Sequence, residues 1–190
     1  MKLERILPFA RKLLESAISE GDIVVDATVG NGHDTLFLAR LVGKHGKVYG
    51  FDIQREAIAT AKSRLEEHEM QDQVLLFQQG HEKLLEWIPP VHHSKIKAAI
   101  FNLGYLPGGD KTIVTRPQTT IQALEQLLTV MPSEGIIVVV IYPGHPEGAV
   151  ERDYIIRYAE KLDQHFVHVL QYKFINQKNH PPFIIALEKI

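Results

Sequence analysis

Short runs of aliphatic residues recur along the chain, and each is followed by a segment with the spacing of an amphipathic helix. The clearest runs are Ile-Val-Val at 23–25 and Ile-Ile-Val-Val-Val-Ile at 136–141. Strands without polar alternation are typical of parallel sheets, because helices cover both faces of such a sheet. The repeated order of strand and helix therefore predicts an α/β fold with a doubly wound parallel sheet.

The end of the chain departs from this alternation. The five parallel strands are predicted at 22–28, 47–52, 73–78, 95–102 and 135–142. The helices between and around them are predicted at 9–19, 34–43, 55–68, 81–88, 116–131 and 147–162. Only seven residues separate two further strands, 165–174 and 182–190, and so short a gap cannot hold a crossover helix. We expect an antiparallel C-terminal hairpin, and the whole order resembles the Rossmann-like fold of class I S-adenosylmethionine-dependent methyltransferases rather than an NAD-binding domain.

Length and composition limit what this fold can do. A chain of 190 residues, 45% hydrophobic and 23% charged, predicts a single domain over residues 1–190. The net charge of -2 predicts that any nucleic acid meets local basic patches rather than a large wrapping surface. The chain contains no cysteine, which excludes disulfides, thiolate zinc sites and a cysteine nucleophile.

The first residues and the apolar runs bear on location. Charges interrupt the opening segment 1–21, so it lacks the apolar centre of a signal peptide. No later apolar run approaches the roughly 18 residues that a membrane-spanning helix needs. We expect a soluble, cytoplasmic protein with no membrane partner.

The stretch Asp-Ala-Thr-Val-Gly-Asn-Gly-His-Asp-Thr at 26–35 joins the first strand to the next helix. A dinucleotide-binding turn would have a third glycine where this chain has Thr35, and a triphosphate-binding loop would have a lysine, none of which occurs between Lys12 and Lys44. Asp26 and Asp34 would repel a pyrophosphate but suit a ligand with an ammonium and a sulfonium. The stretch resembles methyltransferase motif I, although its glycines could simply permit a tight turn.

Polar residues at the ends of the next two strands complete a predicted nucleoside site. Asp52 ends the second strand, where a carboxylate can accept both hydroxyls of an adenosine ribose. The segment 79–81, Gln-Gly-His, ends the third strand near the expected adenine. The predicted S-adenosylmethionine site comprises Asp26, Thr28, Gly30, Asn31, Gly32, Asp34, Thr35, Asp52, Ile53, Gln54, Gln79, Gly80, His81 and Asn102.

The end of the fourth strand is the predicted catalytic edge, because ligands of open α/β sheets bind at the carboxyl ends of strands. Its sequence, Asn-Leu-Gly-Tyr at 102–105, resembles the Asn-Pro-Pro-Tyr motif of amino-group methyltransferases, with both prolines replaced. A surface turn is the alternative interpretation. An amine must reach the methyl group without its proton, which a carbonyl, water, Tyr105 or Asp110 could arrange. The candidate catalytic residues are Asn102, Gly104, Tyr105 and Asp110.

Basic and aromatic residues near this edge are candidates for substrate contact. Histidine and acidic residues show no spacing typical of a metal site, so we expect no metal. The basic residues could hold a few phosphates of an RNA loop, or could be ordinary solvated surface. The predicted substrate-binding residues are Tyr105, Lys111, Arg116, Tyr142, His145, Lys178 and His180.

Several motifs together resemble one small bacterial family, the YtqB-like or MnmM proteins, once labelled rRNA methylases. The motifs are DATVGNGHDT at 26–35, GFDIQ at 50–54, FNLGYLPGGDK at 101–111, PQTT at 117–120, YPGHPEG at 142–148 and NHPPF at 179–183. The resemblance implies methylation of the aminomethyl nitrogen of 5-aminomethyl-2-thiouridine at the tRNA wobble position, with the anticodon stem-loop as partner and a homodimer as the assembly. The residues alone leave three alternatives open: an rRNA methyltransferase, a small-molecule N- or O-methyltransferase, and a non-catalytic nucleotide-binding module.

Overall fold

A single sheet of seven strands forms the centre of the molecule. The computed structural model describes residues 2–110 and 112–190, so the predicted substrate contact Lys111 lies outside the described residues. The strands are β1 (Ile23–Asp26), β2 (Lys47–Phe51), β3 (Val74–Phe77), β4 (Ile96–Asn102), β5 (Ile136–Ile141), β6 (Val167–Tyr172) and β7 (Phe183–Lys189). Each lies within a predicted strand segment.

The strand order is β3-β2-β1-β4-β5-β7-β6. The first five strands in this order pair in parallel, whereas β7 runs antiparallel to both β5 and β6. The predicted parallel sheet with an antiparallel C-terminal hairpin is therefore confirmed. Within the hairpin the last strand, rather than the first, takes the place beside β5.

Seven α-helices accompany the sheet in the described residues. They are α1 (Ile6–Ala17), α2 (His33–Val42), α3 (Arg55–Glu67), α4 (Leu84–Trp87), α5 (Pro90–His93), α6 (Pro117–Val130) and α7 (Pro146–Ala159). The first helix begins at Ile6, three residues before its predicted start. Pro8 is compatible with this start because it lies in the first turn, where a backbone N–H has no partner within the helix. The predicted helix at 81–88 is a 3-10 turn, His81–Lys83, followed by the single turn α4.

Both faces of the central strands are buried, as their aliphatic sequences predict. Val25 and Ala99 belong to one apolar cluster with residues of α6 and α7. Val24 and Ala98 belong to a second cluster with residues of α1, α2 and α3. Successive residues of a strand point to opposite faces, so each strand joins both layers.

The two halves of the sheet meet between β1 and β4. From β1 the chain continues outward to β2 and β3, and from β4 it continues the other way to β5. A crevice opens at the carboxyl ends of strands at such a switch point. Among the helices of the described residues, none has the length and apolar character required to cross a bilayer.

Candidate active site

A cleft of about 820 Å³ opens at the carboxyl ends of the strands, between the loops that follow β1, β2, β3, β4 and β5. The predicted cofactor residues that line it are Thr28, Gly30, Asn31, Asp34, Asp52, Ile53, Gln54, Gln79, Gly80, His81 and Asn102. The predicted catalytic and substrate residues that line it are Gly104, Tyr105, Arg116, Tyr142, His145 and His180. One cleft therefore brings both predicted sets together.

Five predicted site residues lie away from the cleft surface. Asp26 and Thr35 are 1% and 0% exposed and lie beneath the loop that follows β1. Gly32 faces α3, and Lys178 is exposed in the hairpin connection. The exposed carboxylate of Asp110 accepts hydrogen bonds from the amide and hydroxyl of Thr112, at 2.8 and 2.7 Å, and these bonds lower its pKa. These five residues therefore do not line the cleft, because adjacency to a motif does not decide where a side chain points, and their predicted contacts with a ligand stay predictions.

Asp26 supports the loop from below. Its carboxylate accepts a hydrogen bond from the hydroxyl of Thr35 at 2.6 Å and another from the amide of Thr28 at 3.1 Å. Burial, with repulsion from Asp34 as a smaller cause, raises the pKa of Asp26 to about 7. The first acid of the motif is thus a structural group at the end of β1.

The two glycines of the loop serve different purposes. Gly30 has a φ of 51° and lines the cleft, so its backbone turns there without a side chain. Gly32 has a φ of 77°, and a Cβ at this position would lie 2.8 Å from the Cα of Ala61 in α3. The second glycine therefore permits α2 and α3 to approach each other closely.

Asp52 links two loops of the cleft. One oxygen of its carboxylate accepts the amide of Gly30 at 2.9 Å, and the other accepts the amide of Gln54 at 2.9 Å. An ionised carboxylate has about four acceptor positions, so each oxygen retains capacity for a further donor such as a ribose hydroxyl. Asp52 is therefore placed to bind a ligand and to hold the loops that surround it.

Asp34 connects the cofactor side of the cleft to the catalytic edge. Its carboxylate accepts a hydrogen bond from the guanidinium of Arg11 at 3.0 Å and one from the side-chain amide of Asn102 at 3.3 Å. Thr28 fixes the same asparagine, because its hydroxyl accepts the backbone amide of Asn102 at 2.7 Å. With its NH₂ group turned to Asp34, Asn102 has its Oδ1 as the side-chain atom that can accept a hydrogen bond from an amine.

The backbone decides the tautomers of two histidines that line the cleft. His81 Nδ1 lies 3.0 Å from the carbonyl of Ala27, which can only accept, so the proton lies on Nδ1 and the lone pair on Nε2. Burial lowers the pKa of His81 and favours this neutral form. Neither this Nε2 nor that of His145 has a hydrogen-bond partner within residues 2–110 and 112–190, although both atoms are buried.

His145 has the opposite tautomer in its neutral form. Its Nδ1 accepts the amide of Gly148 at 3.0 Å and thereby caps α7, which leaves the proton on Nε2. The carboxylate of Glu147 also lies 3.3 Å from Nδ1, but that side chain is 62% exposed and can turn away, whereas the Gly148 amide is held in the helix. The His145 ring contacts the ring of Tyr105 edge to face, with centroids 5.7 Å apart.

Sequence reasoning missed three residues that shape this site: Arg11, Thr115 and Glu151. Arg11 pairs with Asp34 across 23 positions of the chain, and Glu151 accepts the hydroxyl of Thr115 across 36 positions. Neither pair lies within a shared motif, so no local signal could identify it. Glu151 is 2% exposed, and burial raises the pKa of its carboxyl.

Comparison with known proteins places the chain among methyltransferases. The family model described as "Putative rRNA methylase" matches residues 48–188. A second model, protein-L-isoaspartate O-methyltransferase, matches residues 5–88. The chloroplastic tRNA (mnm(5)s(2)U34)-methyltransferase of Arabidopsis thaliana is 37% identical over 161 residues, which are 80% of this chain and 58% of that protein. The chain thus spans little more than half the length of this relative.

Two solved structures are similar over nearly their entire length. A protein from Clostridium thermocellum described as a "putative rRNA-methylase" is 43% identical, and the match covers 100% of both chains with a TM-score of 0.96. A protein from Streptococcus mutans described as "a putative methyltransferase", crystallised with S-adenosylhomocysteine, is 33% identical, and the match covers 99% of both chains with a TM-score of 0.89. Because this family model matches residues 48–188 and a solved structure of the same description is 43% identical over the entire chain, this chain belongs to the family described as "Putative rRNA methylase", a family of S-adenosylmethionine-dependent methyltransferases.

Proposed function

We propose that this chain, acting in the cytoplasm, methylates the aminomethyl nitrogen of 5-aminomethyl-2-thiouridine at the tRNA wobble position and forms the methylaminomethyl nucleoside. The likeness to the Arabidopsis enzyme, whose name states that modification, carries the proposal. The loop at the end of β4 supports it, because the loop offers an amide oxygen at Asn102 beside the aromatic ring of Tyr105. An amide oxygen can accept an N–H of an amine, and an aromatic ring can stack on a flat base.

The residues of the cleft fit S-adenosylmethionine. Its volume of about 820 Å³ is within the usual range for a site of this kind. The carboxylate of Asp52 suits the ribose hydroxyls, the exposed side chain of Ile53 offers an apolar surface for adenine, and Asp34 suits the ammonium group. When bound, the cofactor supplies a methyl group already activated by the sulfonium charge.

The catalytic task of the protein is then to hold the acceptor nitrogen in line and to exclude water. The Oδ1 of Asn102 accepts one N–H of the neutral amine and so directs the nitrogen lone pair toward the cofactor side of the cleft. The ring of Tyr105, which is 40% exposed, offers a face on which the base can stack. The amine must bind without its extra proton, since a protonated nitrogen has no lone pair to attack with.

Contacts to RNA are assigned to the rim of the cleft. Arg116 and His180 line its opening, and Lys178 is exposed nearby in the chain. These groups suit the phosphates of an anticodon stem-loop. We also propose a homodimer through the edge strand β6, whose Val169 and Leu170 are 41% and 46% exposed.

Methyl transfer to defined RNA tests the proposed function. The purified protein with labelled S-adenosylmethionine should methylate tRNA isolated from cells that lack the gene, and nucleoside mass spectrometry should identify the methylaminomethyl product. Cells that lack the gene should accumulate the aminomethyl nucleoside. Transfer to rRNA alone, or to small amines alone, would replace the proposed substrate, and no transfer to any fraction would favour a binding module.

A further inference from the structure

We infer that Glu151 is a positioning residue for methyl transfer, which acts through the hydroxyl of Thr115 on the backbone of the Asn102–Tyr105 loop. The inference rests on the proposed function in one respect, that the acceptor nitrogen binds at this loop. Glu151 belongs to α7 and is 2% exposed, whereas the residues lining the cleft do not include it. Its effect on the reaction must therefore pass through other residues.

Two threonine hydroxyls bind the buried carboxylate. Thr115 donates to Oε2 of Glu151 at 2.5 Å, and Thr120 donates to Oε1 at 2.8 Å. Both oxygens of the carboxylate thus have a partner, which a buried polar group requires. Thr120 is fully buried in α6, while Thr115 precedes that helix and lines the cleft.

Thr115 holds Gly104 from both sides of the residue. The amide of Gly104 donates to the hydroxyl of Thr115 at 3.0 Å, and the amide of Thr115 donates to the carbonyl of Gly104 at 3.0 Å. Because Glu151 accepts a hydrogen bond from the hydroxyl of Thr115, a lone pair of that oxygen is directed to the Gly104 amide. The carboxylate therefore fixes the direction of the whole chain of hydrogen bonds.

The orientation of the loop carbonyl follows from this arrangement. In a trans peptide the N–H and C=O groups point in opposite directions, so the carbonyl of Leu103 points away from Thr115. Leu103 is one of the residues that line the cleft, where a carbonyl can accept the second N–H of an amine. Gly104 has a φ of 133°, a conformation that glycine adopts freely and that no ring restrains. The hydrogen bonds between Gly104 and Thr115 supply the rigidity that the two prolines of an Asn-Pro-Pro-Tyr motif would give at positions 103 and 104.

Thr120 provides a matched control for the test. Thr115→Val and Thr120→Val each remove one hydroxyl from Glu151, but only Thr115→Val releases Gly104. We expect Thr115→Val to lower kcat on tRNA by about 100-fold, the order of loss that follows from misplacing a reacting group. We expect Thr120→Val to stay within about threefold of wild type. KM for S-adenosylmethionine should be unchanged in both variants. Thr115→Ser keeps the hydroxyl and should therefore retain a kcat close to that of wild type.

Glu151→Ala separates positioning from direct contact. It should lower kcat as Thr115→Val does, with Glu151→Gln intermediate because one acceptor oxygen remains. If Glu151→Ala retains wild-type kcat, Thr115 acts on the ligand itself and the inference is wrong. Equal losses of kcat in Thr115→Val and Thr120→Val would also overturn it.

A measurement without substrate tests the same link independently of the proposed function. Hydrogen exchange of the Gly104 amide, followed by NMR, should quicken in Thr115→Val and Glu151→Ala but not in Thr120→Val. Unchanged exchange in the first two variants would refute the inference that Glu151 holds Gly104 in place through Thr115. Failure of the wild-type protein to methylate tRNA would instead refute the substrate and leave this exchange comparison valid.

Discussion

At the scale of single residues, Asp52 joins binding and structure in one carboxylate. It accepts the amides of Gly30 and Gln54 and faces the cleft. We predict that Asp52→Ala lowers the affinity for S-adenosylhomocysteine by about 10- to 100-fold, because hydrogen bonds to a charged group contribute about 1.5–3 kcal/mol. Calorimetry measures the change.

Asp163→Ala is the control for this prediction. Asp163 also accepts a backbone amide, that of His165 at 2.9 Å, but it lies outside the cleft. Its removal should leave the affinity unaltered. Equal affinity in wild type and Asp52→Ala would contradict the assigned ribose site.

The raised pKa of the Asp26 carboxyl should make the stability of the protein depend on pH. Its pKa is about 7 in the folded protein and near 3.8 in the unfolded chain. A raised carboxyl pKa contributes stability below the unfolded value, and that contribution is lost as pH rises toward the folded value, with a slope of at most about 1.4 kcal/mol per pH unit. The side chain of the Asp26→Asn variant cannot ionise. The free energy of unfolding of this variant, relative to that of wild type, should therefore increase from about pH 4 to about pH 7.

Urea unfolding of both proteins at several pH values measures this difference. Above about pH 7 it should become constant, because the carboxylate is then ionised in both states of the wild-type protein. A difference that is flat from pH 5 to pH 7 would contradict the prediction, because it would show that Asp26 is already ionised in the folded protein over this range.

At the scale of elements, the contact between α2 and α3 depends on Gly32. Its φ of 77° and the 2.8 Å approach of a Cβ to Ala61 act together. Gly21 has a similar φ of 93°, but nothing lies within 4 Å of its Cβ position. Gly21→Ala should therefore cost about 1–2 kcal/mol from backbone strain alone, and Gly32→Ala should cost about 1–3 kcal/mol more through overpacking.

Thermal and urea unfolding compare these two glycine variants. Gly32→Ala should also weaken S-adenosylhomocysteine binding. The added methyl group should displace the start of α2, and Asn31 and Asp34 of the cleft lie on either side of that start. Equal destabilisation of the two variants would mean that α3 yields to the added methyl group at no cost.

The elements themselves follow closely from their sequences. Every predicted strand is present. The central strands are buried on both faces and therefore have unbroken aliphatic runs, which can be recognised from the sequence alone. Boundaries moved where turn geometry decided them, as at Pro8 in the first turn of α1 and in the 3-10 turn at His81–Lys83. Such endings depend on which backbone groups find partners after folding.

At the scale of the whole molecule, a net charge of -2 means that the proposed binding of RNA would depend on a few local contacts. If about three phosphates are neutralised, the logarithm of the affinity should fall against that of the salt concentration with a slope of roughly −2. Arg116→Ala should reduce the steepness by about 0.7. Fluorescence anisotropy of a labelled anticodon stem-loop, at salt concentrations from about 50 to about 200 mM, measures this slope.

Lys44 offers the comparison for Arg116. It is exposed, carries the same charge and precedes β2 at the opposite edge of the sheet. Lys44→Ala should leave the slope unchanged. A slope that responds equally to both substitutions would indicate diffuse attraction rather than contacts at the rim of the cleft.

The sequence by itself determined the parallel sheet, the closing hairpin, the glycine turn and the edge at which the cleft opens, because a local pattern of residues indicates each of them. Only the tertiary structure decided that Asp26 lies beneath the loop, that Arg11 pairs with Asp34, and that Glu151 reaches Gly104 through Thr115. These partners are far apart in sequence and meet only when the helices pack on the sheet. Spacing along the chain predicts a face or a turn, whereas folding decides which buried polar groups become partners.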